Sequence, residues 1–264
     1  MKGANLGLHN RTILSTALIG VFAWSLTTVD WGNNLLHSGG IAAITQIAKA
    51  AFKPDLAPEI LILAVVSAWK TLAYATAGMT LAVLLAIPFG ILASGILSSC
   101  SLNRTIGVIS FRGILNAMRA VHELVWAWLF VAAMGLSPFA AIFALAIPYG
   151  GTLGRIFADI LQDVPRAPLA ALQAGGAGKL QLLFYGYFPM ALPDMVSYTM
   201  YRFECALRSA AIMSFIGLGG LGYQIQISLQ DLHYNEVWTF IFFLVLLVML
   251  VDFWSNRLRR RLTA

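Results

Sequence analysis

Long apolar runs alternate with short polar connections along the whole chain. A helix needs roughly 20 apolar residues to cross the hydrocarbon layer of a bilayer, and several runs reach that length. The first, Thr12 to Thr28, follows Lys2 and Arg11 and carries Trp24 and Trp31 at its border. Such aromatic borders suit a membrane interface. A cleaved leader also has a basic start and a short apolar core, but no A-x-A site follows, so a retained span over 12–31 is predicted. Residues 32–67 are more polar and read as an external loop, in which Ile41 to Phe52 has the rhythm of a short surface helix; a plain linker is the alternative. Glu59 to Leu97 is too long for one perpendicular span at 1.5 Å per residue. A lead-in helix and a second span from Ala68 to Ser94 are predicted there, with Pro88 and Gly90 near the inner end.

The pattern continues with a basic connection, Ser98 to Met118, holding Arg104 and Arg112. The third span runs from Arg119 to Met134. A tight turn at Gly135, Ser137 and Pro138 leads into the fourth, Phe139 to Ile160. After a polar connection the fifth span covers Leu182 to Arg202. Arg208 to Tyr223 is glycine-rich, Gln224 to Asn235 is polar and external, and the sixth span is Val237 to Trp254. The expectation is an all-α integral membrane domain over 1–264 with six spans. Its core is 68–255, its cytoplasmic loop 161–181 and its basic cytoplasmic tail 256–264.

Composition supports this and excludes a soluble globule. Charged residues make up 11% of the chain and hydrophobic ones 59%, against about 25% charged in soluble domains. Mean hydropathy is +0.81. The net charge of +6 does not point to nucleic acid, because most of the basic residues flank apolar runs. Arg257, Arg259, Arg260 and Arg261 cluster after the last run. That is the positive-inside pattern, and it predicts both termini in the cytoplasm. A basic tail also attracts anionic lipid. Cys100 and Cys205 fit no metal spacing and read as small buried apolar residues.

Ionisable groups inside spans are costly and need a reason. Arg119 and Glu123 are four apart, as are Glu204 and Arg208, a spacing that brings side chains to one helical face. Two readings follow: intrahelical pairs that neutralise each other, or arginines on a solute path where an anion is held. Of the two, Arg208 is expected to face the path more than Arg119. Lys70 is a further path candidate, although it and Arg202 also suit snorkelling to an interface. His122 stands beside Glu123 without a second histidine at ligand spacing. There is no Walker A pattern and no G-x-S-x-G elbow. Gly217, Gly219, Gly220 and Gly222 form G-x-G-G-x-G, but no strand precedes it and no acidic ribose partner follows. In a membrane, clustered glycines let helices approach or the chain turn at depth, so a gate or re-entrant turn is expected.

Pro168 to Pro193 reads PLAALQAGGAGKLQLLFYGYFPMALP. Ala170, Ala171 and Leu172 belong to a short helix, Gly176 to a turn, and Lys179 opens a second helix. A small-residue helix pair between two spans is a docking knob for a cytoplasmic partner; an ordinary amphipathic loop is the alternative.

This arrangement resembles the permease subunits of type I ABC importers, whose cytoplasmic loop carries E-A-A, three residues, G, nine residues, I-x-L-P. Ala170-Ala171-Leu172 and Gly176 match its first half and Phe188-Pro189 its end. The phosphonate and phosphite branch is the most similar. That likeness lies in Arg119-Ala-Val-His-Glu123-Leu-Val-Trp, Gly135-Leu-Ser-Pro-Phe139, Ser197-Tyr-Thr-Met-Tyr-Arg-Phe-Glu204 and Gly217-Leu-Gly-Gly-Leu-Gly222, from roughly Lys49 onward. The resemblance implies the bacterial inner membrane, a homodimer of permeases, two ATPase subunits that bind ATP and magnesium, and an external solute-binding protein. This chain itself would hold no cofactor or metal. The path would lie between the two permeases, and the loop from Ala170 to Lys179 would dock into the ATPase. The substrate implied is a phosphonate, phosphite or phosphate. Two departures stand out. Ala170 falls where the family has glutamate, and Pro148-Tyr-Gly-Gly151 falls where it often has His-Thr-x-Gly. The rival reading is a stand-alone secondary transporter or a membrane enzyme. An ion-coupled carrier is expected to place unpaired carboxylates at mid-bilayer, whereas Glu123 and Glu204 each have an arginine nearby in sequence.

Overall fold

The structure, a computed structural model, describes residues 4–28, 40–98 and 101–263. The last residues of the first predicted span (29–31), the start of the loop that follows it, and Cys100 lie outside the described residues. The described chain is helical and contains no β-strand. It forms two units, Met1–Lys49 and Ala50–Ala264.

In the first unit, α1 (Ala4–Thr28) carries apolar side chains such as Leu14, Ile19, Phe22 and Trp24 around its circumference. Helix α2 (Gly40–Ala50) corresponds to the short helix predicted in the loop.

The second unit is built on α3 (Pro58–Ser94) and α6 (Pro138–Asp163), which pack along most of their lengths. The predicted lead-in and second span are one uninterrupted helix of 37 residues. It is about 55 Å long at 1.5 Å per residue. The approach of α3 to α6 depends on missing side chains. A Cβ on Gly78 would lie 2.8 Å from Leu145 Cβ, and one on Gly90 would lie 3.0 Å from the Gly154 carbonyl oxygen. Small residues at such seams let helix backbones approach in a membrane, where packing rather than water exclusion drives association.

The predicted basic connection is helical, α4 (Ser101–Ala120), and α5 (Glu123–Met134) follows after two residues. The two meet at 83°, so the third predicted span is the second arm of a broken element. Beyond α6 come α7 (Arg166–Ala174), α8 (Lys179–Leu182), a π-helical turn at Leu183–Tyr187, and α9 (Phe188–Met213). Helix α9 runs eleven residues past the predicted end of the fifth span at Arg202. A 3₁₀ turn (Ser214–Ile216) and a glycine-rich turn lead to α10 (Leu221–Gln230), where a polar loop is expected. The final helix, α11 (Tyr234–Thr263), absorbs the predicted tail, so the arginine cluster continues the last span as helix.

Among the described residues, three helices, α3, α6 and α11, are long and apolar enough to cross a membrane, and counting each of two bent pairs as one span brings the number to five. Helix α1, which holds the described part of the first predicted span, is not among them. Leu84, Met249, Leu250 and Phe253 are exposed on the outside of the bundle. Only hydrocarbon or another apolar surface covers such a perimeter favourably. Cys205 is half-buried rather than fully enclosed.

Candidate functional site

The site begins at the break between α4 and α5. His122 is extended (φ −64°, ψ 145°), and its Nδ1 accepts the Leu124 N–H at 3.2 Å, which caps α5. An acceptor Nδ1 leaves the proton of a neutral imidazole on Nε2. That Nε2 lies 3.7 Å from the Glu123 carboxylate. Because the chain turns through 83° here, the four-residue spacing of Arg119 and Glu123 does not put them on one helical face. The intrahelical pair expected from sequence does not form.

Glu123 is instead bound from other helices. Ser209 of α9 donates its hydroxyl to the Glu123 carboxylate, and Tyr149 of α6 lies 3.0 Å from Ser209 Oγ. An ionised carboxylate only accepts. Ser209 therefore spends its single proton on Glu123, and Tyr149 donates to Ser209. The relay Tyr149–Ser209–Glu123 ties α6, α9 and α5 together at the break.

A cavity of about 280 Å³ opens beside this relay, lined by Arg119, His122, Glu123, Tyr149, Thr152 and Arg202 among others. Pro148 and Tyr149, in the stretch that departs from the family's pattern, form part of its wall. Glycine at 151 lets α4 close against α6, since a Cβ there would lie 2.8 Å from the Leu115 carbonyl oxygen. Arg202 is held by its own helix. Its Nε and Nη2 donate to Tyr198 Oη at 3.0 and 2.8 Å, and its guanidinium sits 5.3 and 5.8 Å from the ring centres of Tyr198 and Tyr201. Arg202 is therefore held by aromatic partners rather than snorkelling to an interface. The Tyr198–Arg202 spacing of four is the sequence signal for this contact. Nothing local marked Ser209, which is brought to Glu123 only by the packing of α9.

The other residues singled out from sequence lie elsewhere. Glu204 is buried and pairs with Arg259 of α11 at 3.1 Å. It does not pair with Arg208, which is exposed and whose Nε donates to the Glu204 backbone oxygen at 3.4 Å. The second intrahelical pair is therefore also absent. Lys70 is exposed on α3. Of the five path candidates, Arg119 and Glu123 line this cavity, and Lys70, Glu204 and Arg208 do not.

The α7–α8 segment has the short helix, glycine turn and second helix expected from sequence. Leu169 is buried and packs on Gly186, where a Cβ would come 2.7 Å from Leu169 Cδ2. Ala170, Ala171 and Leu172 are exposed. Gly176 has φ +86°, its N–H reaches the Gln173 oxygen at 2.9 Å, and the Ala177 N–H reaches the Leu172 oxygen at 3.1 Å. This is a Schellman closure, in which a left-handed residue after the helix satisfies its last carbonyls. Glycine reaches that φ without a Cβ penalty. Lys179 Nζ donates to the Leu97 carbonyl at 3.2 Å, linking the knob to the end of α3. At the same end Arg112 of α4 meets Asp159 of α6 at 3.0 Å, and Gln162 donates to the Ser94 carbonyl at 2.8 Å.

The glycine-rich turn has left-handed φ at Gly217, Gly219 and Gly220. It is fastened to α3: Tyr74 Oη donates to the Leu218 carbonyl at 3.1 Å, and the Leu221 N–H donates to Thr71 Oγ1 at 3.0 Å. A Cβ on Gly222 would overlap the Ala211 carbonyl, so glycine is required where α10 crosses the end of α9.

This chain belongs to the family of binding-protein-dependent transport system inner membrane components, whose model matches residues 86–264. It is a transport permease subunit with the fold of type I ABC importers. It is 32% identical over 237 residues to the putative phosphite transport system permease protein HtxC of Stutzerimonas stutzeri, covering 90% of this chain and 81% of that protein. The phosphite transport system permease protein PtxC of the same organism is 31% identical over 268 residues, covering 98% of this chain and 92% of its own. Among solved structures, the fold is similar to a chain of the MetNI methionine ABC transporter in an inward-facing conformation. That likeness has a TM-score of 0.69 at 22% identity and covers 79% of this chain and all of the other.

Proposed function

We propose that this chain is the permease subunit of an ATP-driven importer of a phosphorus oxyanion: phosphite, phosphonate or phosphate. The observation that carries the substrate class is the likeness to two phosphite permeases over 90% and 98% of the chain. Two copies enclose the path, two ATPase subunits supply ATP and magnesium, and an external binding protein delivers the solute. The α7 knob docks into the ATPase through Ala170, Ala171 and Leu172, with Gly176 and Lys179 holding its shape. Closure of the ATPases moves the knob and opens the path outward; hydrolysis resets it. The turn at Gly217, Gly219, Gly220 and Gly222 acts as the gate. Both termini and the knob are cytoplasmic, and the arginine-rich end of α11 meets anionic lipid.

Support for coupling comes from the exposed outer face of α7, which stands on a buried Leu169 anchor. Support for anion passage comes from two arginines on one cavity wall. The test is co-purification of a tagged chain with an ATPase subunit from its host cell, followed by phosphite uptake with the binding protein supplied. An ATPase in the complex and ATP-dependent uptake are expected. Uptake that needs no ATPase subunit points to a stand-alone carrier and ends the proposal.

A further inference from the structure

We infer that the cavity at the α4–α5 break holds an oxyanion that still carries a proton, with Arg119 and Arg202 bonding its oxygens and Glu123 accepting its P–OH hydrogen. This rests on the reading of the chain as an oxyanion permease and assigns the chemistry of selection within it.

The charges are arranged for such a ligand. Arg202 directs Nε and Nη2 at one acceptor, Tyr198 Oη, which leaves N–H groups of its five-donor fork for a ligand. Those two bonds to Tyr198 Oη, and the rings of Tyr198 and Tyr201 with centres 5.3 and 5.8 Å from Cζ, hold the guanidinium in place. Arg119 is exposed and makes no ion pair with any described residue. Planar guanidinium groups suit tetrahedral oxyanions because two parallel N–H bonds match two oxygens. The cavity, about 280 Å³, has room for such an anion with water.

Glu123 gives the site its selectivity. Its carboxylate is fixed by Ser209 and backed by Tyr149, and it retains lone pairs beyond the one Ser209 uses. A carboxylate next to two arginines is unfavourable for an anion that presents only acceptors. It is favourable for one with a hydroxyl to donate. Phosphite, phosphate and monoalkyl phosphonates keep such a proton in part of their population near neutral pH. Sulfate does not, and neither does the diester phosphate of a phospholipid headgroup. A site built to accept a hydrogen bond rejects ligands that lack the donor, because its own polar group is then left unmatched. The same geometry therefore separates phosphorus oxyanions from sulfate and a free anion from a lipid headgroup.

The experiment is calorimetric titration of the full-length chain in phosphatidylcholine nanodiscs with phosphite, phosphate and sulfate. Wild type is expected to bind phosphite at least about tenfold more tightly than sulfate. Arg202→Gln and Arg119→Gln each weaken phosphite by about tenfold, and Arg202→Lys weakens it less. Glu123→Gln keeps an acceptor for Ser209 but offers an amide donor to the ligand, so it brings sulfate to within about threefold of phosphite. The inference is overturned by any of four results: no saturable phosphite binding to wild type, equal binding of sulfate, wild-type affinity in Arg202→Gln, or loss of phosphite binding when phosphatidylglycerol is added. The last would identify a headgroup site. Reconstituted uptake separates this from the transport proposal. Wild-type binding with no import would sink the importer reading and leave the site, while full import by Arg202→Gln would sink the site and leave the importer.

Discussion

Glu204 of α9 forms its ion pair with Arg259, 55 residues away on α11, rather than with Arg208 on the next turn of its own helix. Arg259 is further held by Asn256 at 2.8 Å. The pair fastens the last helix to α9 and gives a half-buried arginine of the basic cluster a buried partner.

Breaking this pair is expected to be costly, because a buried charge left alone is far less favourable than a pair that is absent. Arg259→Ala should destabilise the protein by about 3 kcal/mol. Glu204→Gln with Arg259→Gln should recover most of that loss, and Arg208→Gln should change stability little. Thermal unfolding in detergent checks all three. A loss in Arg208→Gln as large as in Arg259→Ala would show that the local pair operates after all.

The Ser209 hydroxyl is the link between α9 and the α4–α5 break. Ser209→Ala leaves Glu123 without its inter-helix donor and should destabilise by about 1–2 kcal/mol. Tyr149→Phe removes the outer hydrogen bond only and should cost less, about 1 kcal/mol. Unfolding midpoints of the two variants should fall in that order.

Gly176 has φ +86° with open space around it, so a side chain there meets backbone strain and no collision. Gly176→Val should cost about 1–2 kcal/mol locally, leave the chain in the membrane, and uncouple ATP hydrolysis from loaded binding protein. Normal stimulation of the ATPase in this variant would remove the knob from the coupling path. Ala170 is exposed, so Ala170→Glu should be tolerated in assembly and uptake.

Gly222 differs in kind from Gly176. A Cβ there overlaps the Ala211 carbonyl, and backbone cannot move aside as a flexible side chain can. Gly222→Ala should lower the yield of folded protein sharply, whereas Gly219→Ala meets open space and only the cost of its positive φ, about 1 kcal/mol. Size-exclusion profiles of the two variants test the difference.

The proposed sidedness rests on the positive-inside pattern of the arginines. Lys179→Cys in an otherwise cysteine-free chain should react with an impermeant thiol reagent only after cells are opened. Labelling in intact cells would reverse the proposed orientation.

The sequence by itself determined the helical membrane class, because apolar runs of spanning length with 11% charged residues have few other solutions. It also determined the short helix closed by Gly176, a local structure whose closing hydrogen bonds lie within six residues. Only the tertiary structure decided how the ionisable groups are partnered. Four-residue spacing implies contact only on a continuous helix, and the 83° break at His122 removes Arg119 from Glu123. At Glu204 the helix is continuous, yet Arg259 reaches the carboxylate from α11 and Arg208 points to a backbone carbonyl. A buried carboxylate takes whichever cation the packing delivers to it in low dielectric, and that choice depends on how α9 and α11 cross. The gathering of Arg119, Tyr149, Arg202 and Ser209 around Glu123 is likewise a product of four helices meeting. No window of neighbouring residues contains that information.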